Sequence, residues 1–72
     1  MEIQALVQHI LDMCGAMTVM LGTPPRYCYV GAKPWRLLKA RYGAPIRLGG
    51  MRVHPRLDLD EWTVLCTVEA QS

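Results

Sequence analysis

Apolar residues recur at Ile3, Val7, Ile10, Cys14, Met17 and Leu21, at alternating spacings of four and three. That is the stripe of an amphipathic helix, so the pattern predicts a helix over 2–21. Leu6, Leu11, Met13 and Met20 widen the stripe until the second half is apolar nearly all round. Gly15 weakens its middle by about 1 kcal/mol relative to alanine. A break there, with 16–21 turning into a strand, is the alternative. Gly22-Thr23-Pro24-Pro25 is a stop signal.

The period then shortens. Arg26 to Val30 (RYCYV) is aromatic and β-branched and predicts a strand. Lys33 to Tyr42 (KPWRLLKARY) predicts a short helix, with Pro34 in its first turn and Gly43 as its stop. Trp35, Leu38 and Tyr42 share one face of it, and Lys33 and Arg36 point the other way, with Lys39 at the boundary.

Residues 46–53 (IRLGGMRV) alternate around two glycines, the signature of a two-residue hairpin turn with positive φ. The register it implies pairs Ile46 with Val53 and Leu48 with Met51 on one face. On the other face it sets Arg47 against Arg52, in the closer, non-hydrogen-bonded kind of site. Like charges placed so repel. Two answers are open: Asp58 and Asp60 form a cross-strand ladder with the pair, or an anion outside the protein neutralises it. Residues 56–60 alternate again, and 62–68 (WTVLCTV) predict a last strand, with a short helix opening at Leu59 as the alternative.

These elements add up to a single α+β domain over 1–72. A long N-terminal helix packs on a small antiparallel sheet that carries a β-hairpin wing, beside one short basic helix. A chain of 72 residues buries only about 60% of its unfolded surface, so its core is marginal. Its hydrophobic share of 51% leaves apolar surface to spare for a partner. Met13, Met17 and Met20 form the candidate protein interface, because methionine adapts to irregular surfaces. They leave room for a homodimer.

Charge sharpens the picture more than composition does. All eight basic residues fall between Arg26 and Arg56, and no acid occurs between Asp12 and Asp58. A basic middle flanked by acidic ends calls for an anionic partner or internal closure. The candidate nucleic-acid-binding residues are Lys33, Arg36 and Lys39 on the short helix and Arg47 and Arg52 on the hairpin. Catalytic chemistry finds little support, and the alternative left to it is a Cys–His nucleophile drawn from Cys14, Cys28 or Cys66 with His9 or His54. Asp58, Asp60 and Glu61 are adjacent, with nothing to separate their pKa values. No metal-ligand spacing links Cys14, Cys28 and Cys66 to His9 or His54, so no metal or cofactor is expected. Gly49-Gly50 joins two strand-like runs and is no phosphate loop. Three scattered cysteines and no signal peptide imply an intracellular, cytoplasmic protein. The stretch from Ala5 to Leu21 reads as too polar at its start for a membrane span.

Pro45-Ile46-Arg47-Leu48-Gly49-Gly50, followed by Asp58-Leu59-Asp60-Glu61-Trp62, resembles the wing and following segment of excisionase-like and AlpA-like winged-helix DNA-binding proteins. The likeness covers about 30 residues. It implies a recognition helix carrying Arg36 and Lys39, a wing carrying Arg47 and Arg52, and a last helix opened by the D-L-D-E-W stretch. It departs from the pattern in the long apolar helix and the GTPPRYCYVGAKP segment that precede the basic helix. The expected function is non-catalytic binding of nucleic acid, DNA ahead of RNA, in a regulatory protein of phage or mobile-element type. The alternative is a protein-binding factor that meets an acidic surface, such as a phage inhibitor of a host complex or a small virion component.

Overall fold

The computed structural model describes residues 2–70. Helix α1 spans Ile3–Leu21, strand β1 Tyr27–Val30, helix α2 Ala32–Tyr42, β2 Ile46–Leu48, β3 Met51–Pro55 and β4 Val64–Thr67. The four strands form one sheet in the order β2-β3-β1-β4. Both helices lie on one face of it. The architecture is α+β, as the hydrophobic pattern implies.

Helix α1 runs unbroken through Gly15 and ends at Gly22, whose φ of 73° gives the left-handed cap and lets its N–H reach the Thr18 carbonyl. Leu6 and Ile10 are fully buried against the sheet, with Ile3, Val7, Met13, Cys14 and Met17 packed around them. Leu21, the last member of the predicted stripe, is half exposed. By length and composition alone, α1 is long and apolar enough to cross a membrane, against the expectation drawn from its polar start. In this fold one face of it is instead committed to the core.

The hairpin register is the predicted one: Ile46 opposite Val53, Arg47 opposite Arg52, Leu48 opposite Met51. Gly49 and Gly50 hold φ of 56° and 81°, as a turn of this hand requires. The Arg52 N–H donates at 2.9 Å to the carbonyl of Arg26, the residue before β1, so it faces away from β2. That geometry makes Arg47 and Arg52 the closer, non-hydrogen-bonded pair.

The sheet differs from the expectation in one respect. It is mixed, because β1 and β3 run parallel, while β1–β4 and β2–β3 are antiparallel. Helix α2 and the hairpin provide the connection that lets β3 return beside β1 in the same direction. Strand β4 is shorter than the predicted 62–68 run, and Trp62 lies outside it in a turn.

The ladder between Asp58 or Asp60 and the hairpin arginines does not form. Residues 57–62 make turns, neither a strand nor the helix that the winged-helix likeness implies. The segment instead docks on the start of α2. The Glu61 carbonyl accepts the Lys33 N–H at 3.1 Å, one of the donors a helix N-terminus leaves open. The Thr63 carbonyl accepts the Gly31 N–H at 2.9 Å. A Cβ on Gly31 would lie 2.7 Å from the Glu61 carbonyl oxygen and closer still to that of Asp60. Glycine is what permits this approach.

The core is apolar throughout. Among the described residues no buried polar side chain lacks a partner. Cys28 and Cys66 face each other across β1 and β4 on the inner side, both buried and both free thiols. The Cys28 thiol is pushed up by its hydrogen bond to Cys66 and by burial, so it stays protonated.

Candidate nucleic-acid interface

Alternation along each strand sorts side chains onto two faces. The inner face takes Cys28, Val30, Ile46, Met51, Val53 and Cys66 into the core. The strand residues left for the outer face are Tyr27, Tyr29, Arg47, Arg52, His54, Leu65 and Thr67. Not one is a carboxylate, and among the described residues the buried side chains of both helices pack into the inner-face core instead. Here Tyr27 stands opposite Arg52, and Tyr29 opposite His54.

Three rings form a triangle on this face. The Tyr27 centroid lies 6.4 Å from those of Tyr29 and His54, and Tyr29 and His54 are 5.9 Å apart. Tyr27 and Tyr29 are stacked, their planes inclined by 19°, and His54 is tilted by 30° and 31° to the two. Tyr29 is buried, Tyr27 is half-buried and His54 is exposed. The Arg56 guanidinium lies 5.9 Å from the Tyr29 ring centroid, within cation–π range. Asp58 fixes it there, accepting from its Nε at 3.1 Å and from a second nitrogen. The same hydrogen bonds hold the Asp58 carboxyl below the usual carboxylate range.

The hairpin arginines have no such anchor. Among the described residues, the ion pairs are Lys33–Glu61 and Arg56–Asp58. Arg47 and Arg52 are exposed, side by side, with no carboxylate on them.

Four surface hollows connect these groups. One is walled by Arg26, Tyr27, Arg47, Gly50 and Arg52. The next, of about 610 Å³, shares Arg47 and Arg52 with it and adds His54, Pro45 and Trp35 beside the start of β2. Trp35 is also a wall of a third, with Arg36, Lys39 and Leu57. Arg36 leads into a fourth, with Lys33, Leu37 and Trp62. No carboxylate lines any of the four.

All five predicted cations therefore line one strip of adjoining hollows, but they do not share one flat surface. Arg47 and Arg52 lie on the outer sheet face. Lys33, Arg36 and Lys39 lie on α2, whose Pro34 and Leu38 are buried on the inner side. The strip passes from one to the other beside the edge strand β2. Lys33 is the least available of the five. Its ammonium is 3.4 Å from Glu61 and 5.9 Å from the Trp62 ring.

Sequence reasoning missed Arg26, Tyr27 and His54 as members. Each carried a readable signal: Tyr27 and His54 occupy outward positions of their strands, and Arg26 directly precedes β1. What the sequence does not show is that β1 and β3 are neighbours, which is what brings the rings together.

The predicted methionine interface divides. Met13 and Met17 pack against the core, whereas Met20 is 81% exposed. It stands at the end of α1 with Val19, 84% exposed, and Leu21. Among the described residues no group of histidine, cysteine and acidic side chains is placed to hold a metal ion. Comparison with family models, with curated proteins and with solved structures returned no match.

Proposed function

We propose that this chain is a non-catalytic nucleic-acid-binding protein that holds the phosphate backbone along the basic strip. The carrying observation is the Arg47–Arg52 pair. Two like charges in a close cross-strand site are destabilising, and among the described residues no carboxylate forms an ion pair with either. An external polyanion offsets the repulsion. Arg26 and Arg52 on one side, and Arg36 and Lys39 on the other, extend the same potential along the strip. Its free thiols suit a reducing, intracellular setting.

The test is titration of labelled DNA and RNA at several salt concentrations. Binding is expected to weaken steeply with salt, because each neutralised phosphate releases counterions. Arg47→Ala with Arg52→Ala is expected to lower affinity at least ten-fold at ~50 mM salt while the circular dichroism spectrum is unchanged. Unchanged affinity in that variant contradicts the proposal.

A second reading rests on the end of α1. Val19, Met20 and Leu21 form an exposed apolar cluster of the kind that marks protein contacts. It predicts self-association or capture of a protein partner, lost in Met20→Lys. The mass of the free protein in solution, with and without that substitution, separates this role from the first.

A further inference from the structure

From the ring triangle and the course of the strip, we infer that the nucleic acid bound is single-stranded, with a base stacked on the Tyr27–His54 platform. This rests on the nucleic-acid reading above and specifies its substrate class. Two independent features carry it.

The first is the chemistry of the outer face. A base offers its flat face to a protein ring only when it is unpaired and unstacked, because in a duplex both faces are covered by neighbours. Here the ring centroids of Tyr27 and His54 lie 6.4 Å apart, with the planes tilted by 30°. Buried Tyr29 packs beside both, and Arg56, itself bonded to Asp58, lies against its ring. Arg52 stands directly opposite Tyr27 in the register, and Arg47 beside it. A ring for the base and guanidinium groups for the flanking phosphates are thus in one place. Such a platform is tolerant of sequence, since every base has a π-face.

The second is shape. The strip turns from the outer sheet face past β2 to α2 within a molecule of 32 × 27 × 21 Å. Duplex DNA has a persistence length of about 150 base pairs and does not follow a turn over so short a distance without a large bending cost. A single strand does. Trp35, half-buried at the turn, forms a wall of both hollows and offers a further ring there. The winged-helix arrangement would instead need α2 and the hairpin on one side of a duplex. Here the hairpin arginines and the exposed residues of α2 belong to opposite layers of the fold.

The experiment uses the whole chain and fluorescein-labelled 12-mers of oligo(dT), oligo(U) and a mixed-sequence duplex, with anisotropy read at one fixed salt concentration. The single strands are expected to bind at least ten-fold tighter than the duplex. The ratio of oligo(dT) to oligo(U) shows whether DNA or RNA is preferred. Tyr27→Ala is expected to lose about ten-fold for single strands, within the usual effect of removing one base–aromatic stack. Tyr27→Trp restores it, which a merely structural role for Tyr27 would not do. His54→Ala gives a second, smaller loss at an exposed position where folding is not at stake. Equal or tighter duplex binding overturns the inference and leaves the nucleic-acid reading standing. So does a Tyr27→Ala variant of normal fold and unchanged affinity. Failure of all three probes to bind at ~50 mM salt removes both.

Discussion

Gly31 shows how a single residue decides where a whole segment lies. Its φ of −68° is open to any amino acid, so its importance is steric and not conformational. The backbone of Asp60 and Glu61 sits where a Cβ would be. Gly31→Ala is expected to lower stability by about 1–3 kcal/mol or more, read as a shift in the urea midpoint. Gly15, in contrast, has open space around it in mid-helix, so Gly15→Ala should raise stability by about 0.5–1 kcal/mol. Asp58 gives a prediction in pH. Its carboxyl is held low by Arg56, so its contribution is present above about pH 4 and is lost as pH falls through the folded-state value. Urea midpoints across that acid range should fall less in Asp58→Asn than in the wild type. A steeper fall in the variant contradicts the assignment. At this scale the sequence was partly legible. The glycines at 49 and 50 announce their turn, but nothing around Gly31 announces that the 60–61 backbone will lie on it.

Individual elements were legible wherever local pattern and local chemistry agree. The hairpin register, the extent of α2 to Tyr42 and the single long α1 all follow from spacing and from glycine stops. The 56–60 segment misleads because its alternation is real, yet after Arg56, whose N–H still reaches the Val30 carbonyl of β1, the chain turns away from the sheet. The Asp60 carbonyl accepts the Thr63 N–H in a turn, and the Asp58 carboxylate serves Arg56. Helix α1 carries the clearest contrast in stability. Ile10→Ala should cost about 2–5 kcal/mol, because Ile10 is fully buried. Met20→Lys should change stability by less than about 0.5 kcal/mol, since that side chain is 81% exposed. Chemical denaturation of the two variants checks both. Equal losses would mean that the end of α1 is packed in solution.

On the scale of the molecule, the sequence showed that the positive charge is concentrated in the middle of the chain but not how it is distributed in space. Strand order is a tertiary property, and the parallel pairing of β1 with β3 has no signature in either strand. That pairing places Tyr27 and Tyr29 beside Arg52 and His54. The same topology carries the acidic segment to α2 and the far side of β1, and leaves Arg47 and Arg52 unanswered. The proposed binding surface thus follows from the sheet order as much as from the charges themselves.

The most direct test is the slope of log affinity against log salt for a single-stranded oligonucleotide, measured for the wild type and for Arg47→Ala with Arg52→Ala. If each arginine neutralises one phosphate, the slope becomes shallower by about 1.4 in the double variant, about 0.7 for each contact. Parallel lines with the same slope would mean that the hairpin arginines touch no phosphate, and would contradict the account.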